Sequence, residues 1–310
     1  MIRLLSSEAL RFRSRRMVKV LTLLAIIGIV VGAVLGTLAS KRPTEEQLAA
    51  GQQQRERQIV RCVHRDGLHD AFGPRPAGQS VQAYCEEHIR PTEDFIHTDQ
   101  LRVAELSEYL KAVALVVIVI GLVTGASMVG ASWQTGTITT ILTWEPRRSR
   151  WLLSRLVVTA VGVFLVSIVL LVVLAGLLSL GASLRGSTST EPGWFRELVG
   201  VMLRVATVSS TVAVIGAAVA TIGRNTAAAL GAVFVYLAVL ESLIRGFRPL
   251  LSRFMLGPSV VVLVGGESQR FSNEDTTITL ATGGATVVVA VYVAVLVVVA
   301  LVMLRARDVN

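Results

Sequence analysis

Residues 132–150 read Ser-Trp-Gln-Thr-Gly-Thr-Ile-Thr-Thr-Ile-Leu-Thr-Trp-Glu-Pro-Arg-Arg-Ser-Arg, and they lie between two uncharged runs, 112–130 and 157–180. Each run is long enough to cross a hydrocarbon core of ~30 Å as a helix, the form in which a lone segment satisfies its own backbone in lipid. The stretch is therefore a connection between two spans. Arg147, Arg148 and Arg150 place it on the cytoplasmic side, because basic residues near span ends concentrate there. Pro146 stops the helix before it and holds Glu145 extended. The sequence thus predicts a short stiff helix with a charged tip, more structure than a simple connection needs.

Working outward, the other long uncharged runs are 20–40, 205–223, 225–240 (continuing past Glu241 to Ile244) and 276–304, with 112–144 holding a span plus the connection and 156–184 the span after it. Hydrophobic residues make up 53% of the chain and charged ones 16%, the balance of a polytopic membrane protein. The predicted fold class is all-α with six spans. Six spans put four basic segments on one side: Arg3 to Lys19, Arg147 to Arg155, Arg224, and Arg305 with Arg307. Both termini are then cytoplasmic. Arg245, Arg248, Arg253 and Arg270 fall outside in this scheme, but five or seven spans would split the internal groups further. Most of the formal charge of +9 is used in orientation, so it does not argue for a nucleic-acid partner.

Residues 1–16 put Ile2, Leu5, Ala9 and Phe12 on one helical face, as suits a helix lying in the inner interface. Gly28, Gly32 and Gly36 recur every fourth residue in the first span, and Gly121 and Gly125 do so in the second. Such bare flanks let another helix approach closely, within this chain or from a second copy.

Residues 41–110 form the external loop, with helices expected over 43–60 and 98–111, the latter running into the second span. Both cysteines of the chain, Cys62 and Cys85, lie here. An even pair confined to an outward loop reads as a disulfide, whose closure contributes ~3 kcal/mol on the chain-entropy argument. The four histidines share the loop (His64, His69, His88, His97), which leaves zinc as the alternative, although the spacing matches no usual zinc motif.

Two charged residues sit within apolar runs. Arg204 either snorkels outward or faces a polar interior, and Ser209, Ser210 and Thr211 would extend such a path. Glu241 is near the outer boundary, with Arg245 at i+4 as its simplest partner.

The pattern Gln134-x-Gly136-Thr137-x-Thr139-x-x-Leu142-Thr143-Trp144-Glu145-Pro146-Arg147-Arg148 resembles the coupling helix of bacterial, particularly actinobacterial, type-2 ABC export permeases. The six-span layout extends the resemblance over most of the chain. It implies that residues 17–310 are a permease domain, preceded by the interfacial helix 1–16. It further implies two copies of a separate ABC ATPase subunit, a second permease chain, identical or not, and the plasma membrane as the site of action. Gln134, Thr137, Thr139, Trp144, Glu145, Pro146, Arg147 and Arg148 would contact the ATPase. ATP and magnesium would reside on that partner, with no cofactor, metal or catalytic residue on this chain. The family also has a glutamate followed by a partly re-entrant, proline-bearing segment beside the exit of the transport path. Glu241 and the stretch through Gly257-Pro258 fit that outline, which makes Arg204, Ser209, Glu241 and Pro258 candidates for a path or gate.

The residues exclude other chemistry. No Walker-type phosphate loop, H-E-x-x-H pair or Ser-His arrangement within the spans occurs. Secondary transport is the next reading, but it would favour ionisable groups at mid-membrane. A receptor or scaffold sensing through the external loop is the reading outside transport. An apolar passage favours a hydrophobic or amphipathic cargo.

Overall fold

The computed structural model of the protein describes residues 2–41, 44–64, 79–89, 100–138, 147–190, 192–272 and 277–306. In chain order, α1 (Ile2–Ser14) leads into α2 (Arg16–Ala39). Next come α3 (Glu45–His64), α4 (Val81–His88) and α5 (Leu106–Gln134). The long helix α6 (Arg148–Arg185) is followed by α7 (Trp194–Gly223) and α8 (Thr226–Phe247). A short apolar helix α9 (Leu256–Gly265), the antiparallel pair β1 (Gln269–Ser272) and β2 (Thr277–Leu280), and α10 (Thr282–Ala306) complete the described chain. Helices α2, α5, α6, α7, α8 and α10 are long and apolar enough to cross a membrane. The protein is an all-α, multi-pass membrane protein.

The chain forms two compact units. The first comprises Met1–Gly32, Ala104–Leu177 and Thr190–Asn310. Its centre is the pair α5 and α7: the most apolar windows of both are 56% buried, against 17% for α8 and α10, so these two form the core on which the rest packs. Small residues make the approach close. A Cβ on Gly121 would lie 2.7 Å from the Ser209 carbonyl oxygen, and one on Gly125 would strike the Ala213 backbone. The same four-residue glycine spacing has a different fate on α2, where nothing lies within 4 Å of the Cβ positions of Gly28 and Gly32. Among the described residues those two glycines pack no helix.

Helix α1 is docked on a face shifted from the one expected: Phe12 is buried and Leu5 half-buried as the pattern requires, but Ala9 is exposed, and Glu8 is buried in its place with Leu4 half-buried. Phe12 fills the space left by Gly162 of α6, where a Cβ would come within 2.6 Å of its ring. Glu8 takes an inward position because its partner, Arg155, is buried there.

The last span also starts later than its composition suggests. Residues 277–280 alternate polar and apolar side chains, the first three of them β-branched, and pair as a strand, Gln269 opposite Leu280 and Ser272 opposite Thr277, before α10 begins at Thr282. The short α9, ten residues or ~15 Å long, covers about half a bilayer core.

The second unit comprises Ala33–Val103 and Leu178–Ser189. Cys62 of α3 and Cys85 of α4 form a disulfide with a Cα–Cα distance of 6.1 Å, buried against Ile89. Helix α4, which the sequence reading missed, is capped by Ser80, whose hydroxyl accepts from the Ala83 N–H at 3.2 Å. The expected helix over 98–111 is shorter than predicted. Residue 102 pairs in a parallel bridge with Ser187, Ser187 donates its N–H to the Leu101 carbonyl at 3.0 Å, and the helix starts only after a 3₁₀ turn at Val103–Glu105. Backbone groups committed to Ser187 cannot also join a helix. The Ser40 hydroxyl accepts from the Leu101 N–H at 3.1 Å and donates to the Arg185 carbonyl, tying the ends of the unit together. At Gly36 the nearest atom to a Cβ would be Leu101 Cδ1 at 3.6 Å, an ordinary contact.

Candidate functional site

The polar stretch singled out in the sequence leaves α5 at its start and enters α6 at its end. Thr139, Trp144, Glu145 and Pro146 lie outside the described residues. The two feet of the stretch, however, are built in detail. The first foot is the end of α5. Gly136 adopts φ +65°, the left-handed turn that glycine makes without cost, and its N–H donates to the Trp133 carbonyl at 3.2 Å. Thr137 is exposed, and its hydroxyl lies 3.1 Å from that of Thr135. Ile138 turns back into the core beside Trp151 and Leu152. Gln134 donates to the side-chain oxygen of Asn225 at 3.1 Å, and Arg224 stacks over the Trp133 ring at 4.8 Å. Asn225 also caps α8 by accepting from the Ala227 N–H at 2.7 Å. The α7–α8 turn is thus locked to the foot.

The second foot is the start of α6. Arg147 and Arg150 are exposed, whereas Arg148 is half-buried and donates to the Leu304 carbonyl at the end of α10, 3.1 Å away. Trp151, Leu152 and Arg155 are fully buried.

Between the feet lies a charged network that joins three helices. Arg155 donates from Nε to Glu8 at 3.2 Å and from Nη1 to the Ser132 hydroxyl at 3.0 Å, and its plane lies over the Trp151 ring. Arg15, at the α1–α2 break, donates to the Ser127 carbonyl and to the same Ser132 hydroxyl. Burial and the neighbouring Arg11 hold the Arg15 guanidinium below its ordinary pKa, with Glu8 opposing them. Glu8 also accepts from Arg11 at 3.2 Å. One carboxylate therefore answers three guanidinium groups, and Ser132 bridges two of them. Removing Glu8 leaves the fully buried Arg155 without its carboxylate, so the pair and the Ser132 bridge tie α1, α5 and α6 together at the feet. The sequence reading marked these arginines only as orientation signals. The overlooked signal was Glu8, the one acid among six basic residues in 1–19.

The candidates for a transport path separate in the structure. Ser209 is fully buried in the α5–α7 contact, donating to the Val117 carbonyl at 3.0 Å and accepting from Ser167 at 3.2 Å. It packs helices there. Glu241 is 1% exposed and reaches the first turn of α9. Both its oxygens accept from the Gly257 N–H, at 2.9 and 3.2 Å, while Arg245 is 3.4 Å away. The expected i+4 pair is present, but the carboxylate's shorter contacts are to a helix N-terminus, where free N–H groups favour a negative charge. The π-helical turn Tyr236–Leu240 directly before it adds the extra residue that sets this aim. Glycine at 257 leaves room for this contact, since a Cβ there would overlap Glu241 Oε2 and displace the carboxylate. Pro258 is buried in the same first turn, where its missing N–H has no intrahelical role. Arg204 lines a cavity of ≈ 670 Å³ between α7, α9 and α10.

Fold and site together define a six-span membrane protein whose connection between α5 and α6 is mounted on a rigid charged base. The chain belongs to the family described as "Protein of unknown function (DUF2705)", which matches residues 85–310. No curated protein matches it.

Proposed function

We propose that this chain is the membrane-spanning subunit of an ABC exporter, powered by ATP hydrolysis on a separate partner chain. The observation that carries the reading is the Gln134 to Arg148 pattern set on its two buried feet. A connection that only reverses the chain needs no such base, whereas one that must transmit force does. In this reading the feet lie in the cytoplasm with both termini, at the plasma membrane. Closure of two ATPase chains pushes on residues 139–147, and the Glu8–Arg155–Ser132–Arg15 network passes the displacement to α1, α5 and α6 together. Trp144 supplies apolar docking area, and Glu145, Arg147 and the exposed Thr137 set register by hydrogen bonds and charge. Arg148 and Gln134, already bonded within the chain, brace the element. The nearly bare, glycine-flanked α2 is the surface for a second permease chain, and the cargo is hydrophobic or amphipathic.

Affinity purification in mild detergent tests the assignment. A soluble chain with a Walker motif should co-purify, and Glu145→Arg or Arg147→Glu should reduce its retention about tenfold or more, the value of one charge-assisted contact. A partner without a Walker motif would make the chain a receptor or scaffold. Unchanged retention in both charge reversals would remove the coupling role of the stretch.

A further inference from the structure

The cavity between α7, α9 and α10 has a graded wall. Nine of its thirteen lining residues are apolar. Thr286 stands near the start of α10 and Arg204 in the first half of α7, with Thr207 and Thr211 one and two turns further along α7, while Ala294, Val297 and Val298 lie further along α10. From Thr286 to Val298 the groove runs ~18 Å at the rise of an α-helix, about one leaflet of a ~30 Å core. A water-soluble ligand has little to bind on such a wall, whereas a hydrocarbon chain matches it in length and polarity.

The polar end supplies the other half of the argument. Arg204 is half-buried, and among the described residues its bonds are long ones to neutral carbonyls, 3.3 Å to Gly200 and 3.4 Å to Gly265. Among the described residues no carboxylate is within ion-pair distance of it. The backbone is shaped around the guanidinium: Gly266 has φ +79°, and a Cβ there would overlap the Arg204 side chain. A guanidinium held in an apolar wall with no acid among the described residues calls for an anion from outside them.

We propose that this groove is a binding site for one anionic phospholipid of the surrounding bilayer. The phosphate sits on Arg204 with Thr207 and Thr286 beside it, and an acyl chain lies along Val293, Ala294 and Val297. The site does not depend on the export reading, since it uses no residue of the 132–150 stretch.

The test is native mass spectrometry of the full chain from mild detergent, after equilibration with equal amounts of phosphatidylglycerol and phosphatidylcholine. The wild-type protein should keep one phosphatidylglycerol with a preference of about tenfold, one charge-assisted bond's worth of discrimination. Arg204→Gln should abolish the preference and Arg204→Lys should keep most of it. Ala294→Phe, which fills the floor of the groove, should release both lipids. Equal retention of the two lipids by the wild-type chain overturns the proposal without recourse to any variant. A preference that survives Arg204→Gln overturns it too, because it would then come from the general positive charge of the protein. So does an oxidative crosslink between copies carrying Val298→Cys, which would put a second chain in the groove.

Discussion

Glu8 and Glu241 are both at most 3% exposed, yet one is met by charge and the other by backbone. Glu8 faces Arg155, Arg11 and Arg15 from two helices and the break between α1 and α2, in a cluster with excess positive charge. Glu241 faces the N–H of Gly257 and a single arginine whose side chain is 48% exposed. The first arrangement is a mutual one: each buried partner is tolerable only because the other is present. The second is a cap, in which the carboxylate fixes where α9 begins and asks little of Arg245. A buried acid therefore says nothing by itself about its role; what answers it does.

The contrast makes graded predictions. The largest effect should come from Arg155→Ala, which removes the one fully buried partner of Glu8 and costs about 3–5 kcal/mol of stability, read as early thermal unfolding in detergent. Glu8→Leu combined with Arg155→Met should recover most of that loss, since apolar replacement of a whole buried pair is often neutral. A double variant as unstable as Arg155→Ala would mean that Ser132 and Arg15, not the pair, hold the feet. Next, Gly257→Ala should push the Glu241 carboxylate off its two bonds and cost about 1.5–3 kcal/mol, the value of a hydrogen bond to a charged group. Glu241→Gln, which keeps an acceptor, should cost less in the same melting experiment; equal losses would break the capping interpretation. Smallest of all, Arg245→Ala should cost about 0.3–0.5 kcal/mol, as for an exposed i,i+4 pair. A loss near that of Arg155→Ala would make the two carboxylates alike after all.

The outcome of the sequence reading follows the same division. The six spans were legible because an uncharged run of membrane length has one stable form in lipid, and the Cys62–Cys85 bond because two cysteines in one loop have one pairing. Ambiguity or error remained where one local pattern serves two ends. Four-residue glycine spacing occurs on both α2 and α5, yet among the described residues a helix backbone closes only on the α5 glycines, because Ser209 and Ala213 of α7 stand opposite. Ala9 fits an apolar face as well as Glu8 violates it, and only the burial of Arg155 decides which residue turns inward. The strand 277–280 was absorbed into the last span because threonine and isoleucine are apolar enough for lipid and also favour a strand, and the partner strand settles the matter.

The sequence by itself determined the class of the protein, the number of its spans, the disulfide and the position of the 132–150 stretch. These depend on the length and charge of contiguous segments, which solvent and bilayer read directly. The tertiary structure alone decided that Glu8, Ser132 and Arg155 form one network, that Glu241 caps α9 across 16 residues of chain, and that Arg204 faces a groove rather than a helix. Each of these is a meeting of polar groups distant in sequence. Partner choice for a buried charge follows from which helices pack together, and no local pattern records that.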